Sequence, residues 1–89
     1  MRRIDPDDTF HRRVDERGVT NLAAAMVKKL AEKRDEGRCG WHDPDRCTIK
    51  RLKLMLHSHV RRGDMVDVAN FAMMIYNREH CVKARKDEP

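Results

Sequence analysis

The segment Gly63 to Tyr76, GDMVDVANFAMMIY, constrains this chain more than any other stretch. From Met65 onward it is apolar at nearly every position, interrupted by Asp67 and Asn70, with Asn77 just beyond its end. Residues three and seven apart share a helix face, so positions 67, 70 and 77 form one narrow polar line on a helix that is otherwise apolar all round. Such a helix belongs in the middle of an assembly. Its polar line must be hydrogen-bonded, solvated at a groove, or engaged by a ligand.

The rest of the chain offers more helices to pack around it. Asp5-Pro6-Asp7-Asp8 is a helix start: Asp5 can cap, Pro6 suits the first helical position, and the acids meet the positive end of the dipole. Phe10 and Val14 then face one way, and Arg17-Gly18 ends a short helix. A second helix is predicted from Thr20 or Asn21 to about Asp35, with Leu22, Met26 and Leu30 in one row and Ala23, Val27 and Ala31 beside it. Gly37 stops it, and residues 37–47, with Asp43-Pro44-Asp45, form a loop containing a turn. Thr48 caps a third helix, Ile49 to Arg62, whose buried face is Ile49, Leu52, Met55, Leu56, His59 and Val60. Gly63 ends that helix. Asp64 caps the fourth, with Asp67 placed to complete a capping box, and this helix extends to about Glu79. No segment alternates with a period of two, so no sheet is expected. The expectation is a single all-α domain over residues 1–89: an antiparallel bundle of three long helices plus a short N-terminal helix, frayed at 1–4 and 83–89.

Composition narrows the chemistry. Aromatic residues are 4% of the chain, too few for a base-stacking platform. The net charge is +5, which favours acidic partners such as nucleic acid, nucleotides or an acidic protein surface. No apolar run is long enough for a membrane span or a signal sequence, and three cysteines are an odd number, so reduced thiols in a cytoplasmic protein are expected. With 89 residues, one bundle has little surface to cover a helix that is apolar all round, so a homodimer formed through the fourth helix is expected.

Three clusters are candidate sites. The first is basic. Between Asp45 and Asp64 there is no acidic residue, while Arg46, Lys50, Arg51, Lys53, His57, His59, Arg61 and Arg62 fall in that interval. Lys50, Lys53, His57 and Arg61 share a helix face, which attracts phosphates or carboxylates or else forms a solvated outer surface. We take Arg46, Lys50, Arg51, Lys53, His57, Arg61 and Arg62 as the partner-binding set. The second cluster is acidic: Asp64 and Asp67, with Glu32, Asp35 and Glu36 available from the second helix, could hold magnesium for triphosphate chemistry. A capping box explains Asp64 and Asp67 without a metal. The third is Cys39, His42 and Cys47, three zinc-type ligands with His57, His59 or Cys81 as a fourth. Their spacing matches no standard finger, so no tightly bound zinc is expected. Trp41, the sole tryptophan, is a packing lid over the bundle end or a partner contact; packing is the simpler role.

The run Gly40-Trp41-His42-Asp43, then Cys47-Thr48-Ile49, then His59 to Met74 resembles small phage-encoded proteins related to the MazG-like nucleotide pyrophosphohydrolases and phage dATP/dGTP diphosphohydrolases. The resemblance implies an oligomeric helical bundle. In those enzymes magnesium is held by two acidic pairs on facing helices and nucleoside triphosphates are cleaved to monophosphates. Asp64 and Asp67 match the second pair. Near His59 and Arg62, where the first pair belongs, this chain has no acid. The expectation is therefore a binding or inhibitory protein on a degenerate MazG-like scaffold, with no catalytic residues and no cofactor, engaging an acidic host or defence protein or nucleic acid through its basic helix. The alternatives are a minimal magnesium-dependent pyrophosphohydrolase and a nucleic-acid-binding regulator.

Overall fold

The computed structural model describes residues 6–82, and every regular element among them is helical. Helix α1 (Pro6–Asp35) is 30 residues long, and a loop links it to α2 (Ile49–Arg62). Helix α3 (Met65–Asn77) follows and passes directly into a wider π turn at Arg78–Val82. The all-α expectation therefore holds. The fraying expected at 1–4 and 83–89 lies outside the described residues. No described helix is long and apolar enough to cross a membrane.

Helix α1 corrects the sequence reading. Where a short N-terminal helix was expected to end at Gly18, the structure has one continuous helix. A glycine inside a helix costs only about 1 kcal/mol, which favourable neighbours override. What stops a helix is the pairing of its last carbonyls, and Gly37 achieves it. Its φ of 83° is left-handed, its N–H donates to the Arg34 carbonyl at 2.9 Å, and the Arg38 N–H reaches the Lys33 carbonyl at 2.8 Å. Gly18 has no left-handed backbone.

The same device ends α2. Gly63, with φ of 74°, donates to the Val60 carbonyl at 3.0 Å, and the Asp64 N–H donates to the His59 carbonyl at 3.2 Å. The N-caps form where the sequence places them: Thr48 Oγ1 accepts from the Arg51 N–H at 3.1 Å, and Asp64 Oδ1 from the Asp67 N–H at 3.4 Å. Only half of the expected capping box exists, because the Asp64 N–H is taken by His59 instead of the Asp67 side chain. Helix α3 also ends at Asn77, short of the expected Glu79, where its hydrogen bonding widens into the π turn.

Helix α3 packs against both α1 and α2. It is the best-covered helix, as its sequence requires, but its innermost line is polar: Asp67, Asn70 and, about two turns beyond Asn70, Arg78 are buried. Its apolar flanks, Val66, Val68, Phe71, Met73, Met74 and Ile75, are half-buried. Among the described residues Leu52 of α2, 1% exposed, is the one buried large apolar side chain. Two further expectations fail here. Val60 is exposed, not part of the buried face of α2, and in the row assigned to the second helix Leu22, Ala23 and Val27 are exposed while Met26, Leu30 and Ala31 are half-covered. For the α1 row the reason is extent: α3, with 13 residues, is too short to cover all of the 30-residue α1. The molecule is accordingly elongated, 49 × 37 × 23 Å.

Leu52→Ala is expected to cost about 3 kcal/mol, because it empties a buried site, while Val60→Ala on the same helix should cost under about 0.5 kcal/mol. Urea titration followed by circular dichroism measures both, and equal costs would contradict this placement of the core.

Candidate functional site

Two arrangements stand out. The first is the buried polar junction where α1, α2 and α3 meet. Asn70, 3% exposed, donates from Nδ2 to the Met26 carbonyl of α1 at 3.3 Å. Its Oδ1 is buried without a hydrogen-bond partner among the described residues. Asn77 instead bonds back to its own helix, donating to the Met73 carbonyl at 2.8 Å. The polar line of α3 is thus a strut at Asn70 and a local bond at Asn77.

Asp67 faces His59 across the α2–α3 contact, with Oδ2 3.7 Å from Nε2, too long for a direct hydrogen bond. His59 Nδ1 lies 2.8 Å from the Met55 carbonyl, so it carries a proton and donates. The ring also packs on Phe71, with centroids 4.9 Å apart. Burial holds the Asp67 carboxyl above its ordinary value of 3.8; its hydrogen bond to the Asp64 side chain and the Asp64 charge add to this, and Lys29 and Lys33 of α1 oppose it. Asp64 is held below 3.8, first by accepting the hydrogen bond from the Asp67 side chain, then by that from the Asp67 N–H. The two shifts oppose each other, so a proton entering the pair is favoured on the buried Asp67.

Lysines, not acids, reach this pair from α1. Glu32 and Glu36, the expected magnesium partners of Asp64 and Asp67, are exposed, as is Asp35. Among the described residues no three His, Cys, Asp or Glu side chains converge so as to hold a metal ion. Cys39, His42 and Cys47 likewise form no such group; Cys39 and His42 are exposed and Cys47 is half-buried.

The second arrangement is the basic face of α2. Arg46, Lys50, Arg51, Lys53, His57, Arg61 and Arg62 are all exposed, and among the described residues none forms a salt bridge. Leu54 lies on the same face as Lys50, His57 and Arg61 and is 61% exposed. Arg46 differs from the others because its guanidinium covers Gly40: a Cβ built there would be 2.6 Å from Arg46 Cζ.

Arg78 is the residue that the sequence reading missed. It is buried, and its Nη1 donates to the Trp41 carbonyl at 2.8 Å and to the Cys47 carbonyl at 2.7 Å. It clips the loop onto α3 and so positions Thr48 and the start of α2. Its signal was faint: 78 lies eleven residues after 67, hence on the same side of the helix, but 77 likewise lies on the side of 70. Trp41 is half-buried, in keeping with packing.

At neutral pH, Asp67→Asn should leave the protein at least as stable as the parent, by up to about 1 kcal/mol, because an amide keeps a donor toward Asp64 without a desolvated charge. The stability that Asp67 contributes is fully present below pH 3.8 and lost as pH rises through its raised value, so the advantage of the variant should shrink toward pH 4. Asp64 has the opposite sign: its contribution is full above 3.8 and lost as pH falls through its lowered value. Denaturant titrations at the two pH values check this, and a loss above about 2 kcal/mol at neutral pH would show that the carboxylate charge is required. Arg78→Met should free the loop, measured as faster thiol labelling of Cys47, with a cost of about 2 kcal/mol from two carbonyls left without a donor. Neither arrangement takes a name from likeness: the chain matches no family model, no curated protein and no solved structure.

Proposed function

We propose that this protein is a small binding module whose basic α2 face engages an acidic protein surface, in the manner of an inhibitor or adaptor. The observation that carries this is the exposed leucine at the centre of an acid-free face: Leu54 among Lys50, Lys53, His57 and Arg61. An apolar anchor ringed by cations suits a protein surface with an apolar pocket and acidic rim, whereas phosphates alone give a leucine nothing to contact. The scaffold, in this reading, is an antiparallel bundle of the phage-encoded MazG-like type from which the first acidic pair is missing, acting as a homodimer in the cytoplasm of an infected host.

A magnesium-dependent pyrophosphohydrolase draws less support, because Lys29 and Lys33 occupy the approach to Asp64 and Asp67 where a second acidic pair would be needed. A nucleic-acid-binding regulator would use the same cations without Leu54.

Fluorescence anisotropy with two probes tests the proposal: an acidic helical peptide carrying a leucine stripe, and duplex DNA. The peptide should bind more tightly at physiological salt. Leu54→Ser should weaken peptide binding roughly tenfold and leave DNA binding unchanged. Charge reversal at Lys50, Lys53 and Arg61 should abolish peptide binding while helicity persists, since exposed charges contribute little to stability. Preference for DNA, with no effect of Leu54→Ser, would favour the regulator.

A further inference from the structure

From Phe10 to Ala24 every residue of α1 is exposed. Phe10, Val14, Gly18 and Leu22 form a row at four-residue spacing, and the row continues into Met26 and Leu30, which are half-buried where α1 meets α3. Each four-residue step turns the row by about 40°, so its upstream part faces away from α3 and is uncovered: Phe10 is 61% exposed, Val14 51% and Leu22 40%. Gly18 has no explanation within one copy of the chain. Its backbone is not left-handed, a Cβ there would meet nothing within 4 Å, and glycine is a poor helix former. With Phe10, Arg13, Val14, Arg17 and Asn21 it lines a shallow notch of 440 Å3.

We infer that this upstream half of α1 is the contact surface for the same half-helix of a second copy of the chain. Four-residue ridges interlock between helices, and a glycine in the ridge lets two helix axes close further than any other residue would. The charges allow it. Asp7, Asp8, Asp15 and Glu16 nearly balance Arg12, Arg13 and Arg17 in this segment, so two copies approach without net repulsion. The acid-free α2 faces would repel each other. Helix α3, the contact expected from sequence, packs against α1 and α2 over part of its circumference and keeps Met65, Ala72 and Tyr76 exposed, so it is the competing contact. This arrangement leaves both α2 faces free, and it stands whether or not α2 binds an acidic partner.

Sedimentation equilibrium of the full chain over a micromolar-to-millimolar series tests it. The expected species is twice the 10.5 kDa chain mass. Val14→Glu and Gly18→Leu should each weaken the dimer on the order of tenfold or more. Val27→Glu, on the opposite side of α1, and charge reversal at Lys50, Lys53 and Arg61 should leave it intact. Gly18→Leu is decisive because leucine improves the isolated helix, so a purely structural role for the position predicts a more stable protein of unchanged mass. Hydroxyl-radical footprinting of the unaltered chain adds a test without substitutions: Phe10 should become protected as concentration rises, and Leu54 should not. A monomer at all concentrations, a dimer indifferent to Val14→Glu and Gly18→Leu, a dimer broken by the α2 reversals, or an unprotected Phe10 would each overturn the inference.

Discussion

The structure depends on a polar seam, not on an oily core. The innermost line of α3 is Asp67, Asn70 and Arg78, and each secures a different neighbour. Asn70 is bonded to the backbone of α1, Asp67 faces His59 of α2, and Arg78 holds the loop between them. Polar groups in these positions are costly to strand, so the arrangement is specific. It contributes less net stabilisation than an equal volume of buried hydrocarbon would. With Leu52 the sole buried large apolar side chain among the described residues, the seam sets the geometry and leaves much of the apolar surface uncovered.

This division explains why the helix ends were legible in the sequence and the packing was not. Thr48, Gly63 and Asp64 act through bonds spanning three to five residues, so their identities announce them. Gly37 behaves the same way. Gly18 misled because a glycine signals a stop only when the following residues turn back on the last carbonyls, and those after Gly18 keep helical geometry. The demand that Asn70 be hydrogen-bonded was visible locally; that its Nδ2 finds the Met26 carbonyl, 44 residues away, was not.

The candidate sites divide along the same boundary. The basic face of α2 is a property of one helix and was readable from its spacing alone. The Asp64–Asp67 pair was visible as a pair, but its environment depends on register between α1 and α3. Arg78 escaped because an arginine near a helix end is ordinarily solvated, and nothing nearby in the sequence indicates the carbonyls it reaches.

The clip formed by Arg78 grips main-chain oxygens, which every residue possesses. The identities of the side chains at 42–45 are therefore immaterial to how the loop is fastened, save for the turn that Asp43 supports by accepting from the Asp45 N–H at 2.9 Å. Gly40 is the exception, since its φ of 91° is a left-handed conformation that side chains rarely adopt. The segment is thus fastened to the fold through its main chain at both ends, and it delivers the chain to the start of the basic helix whatever its side chains are.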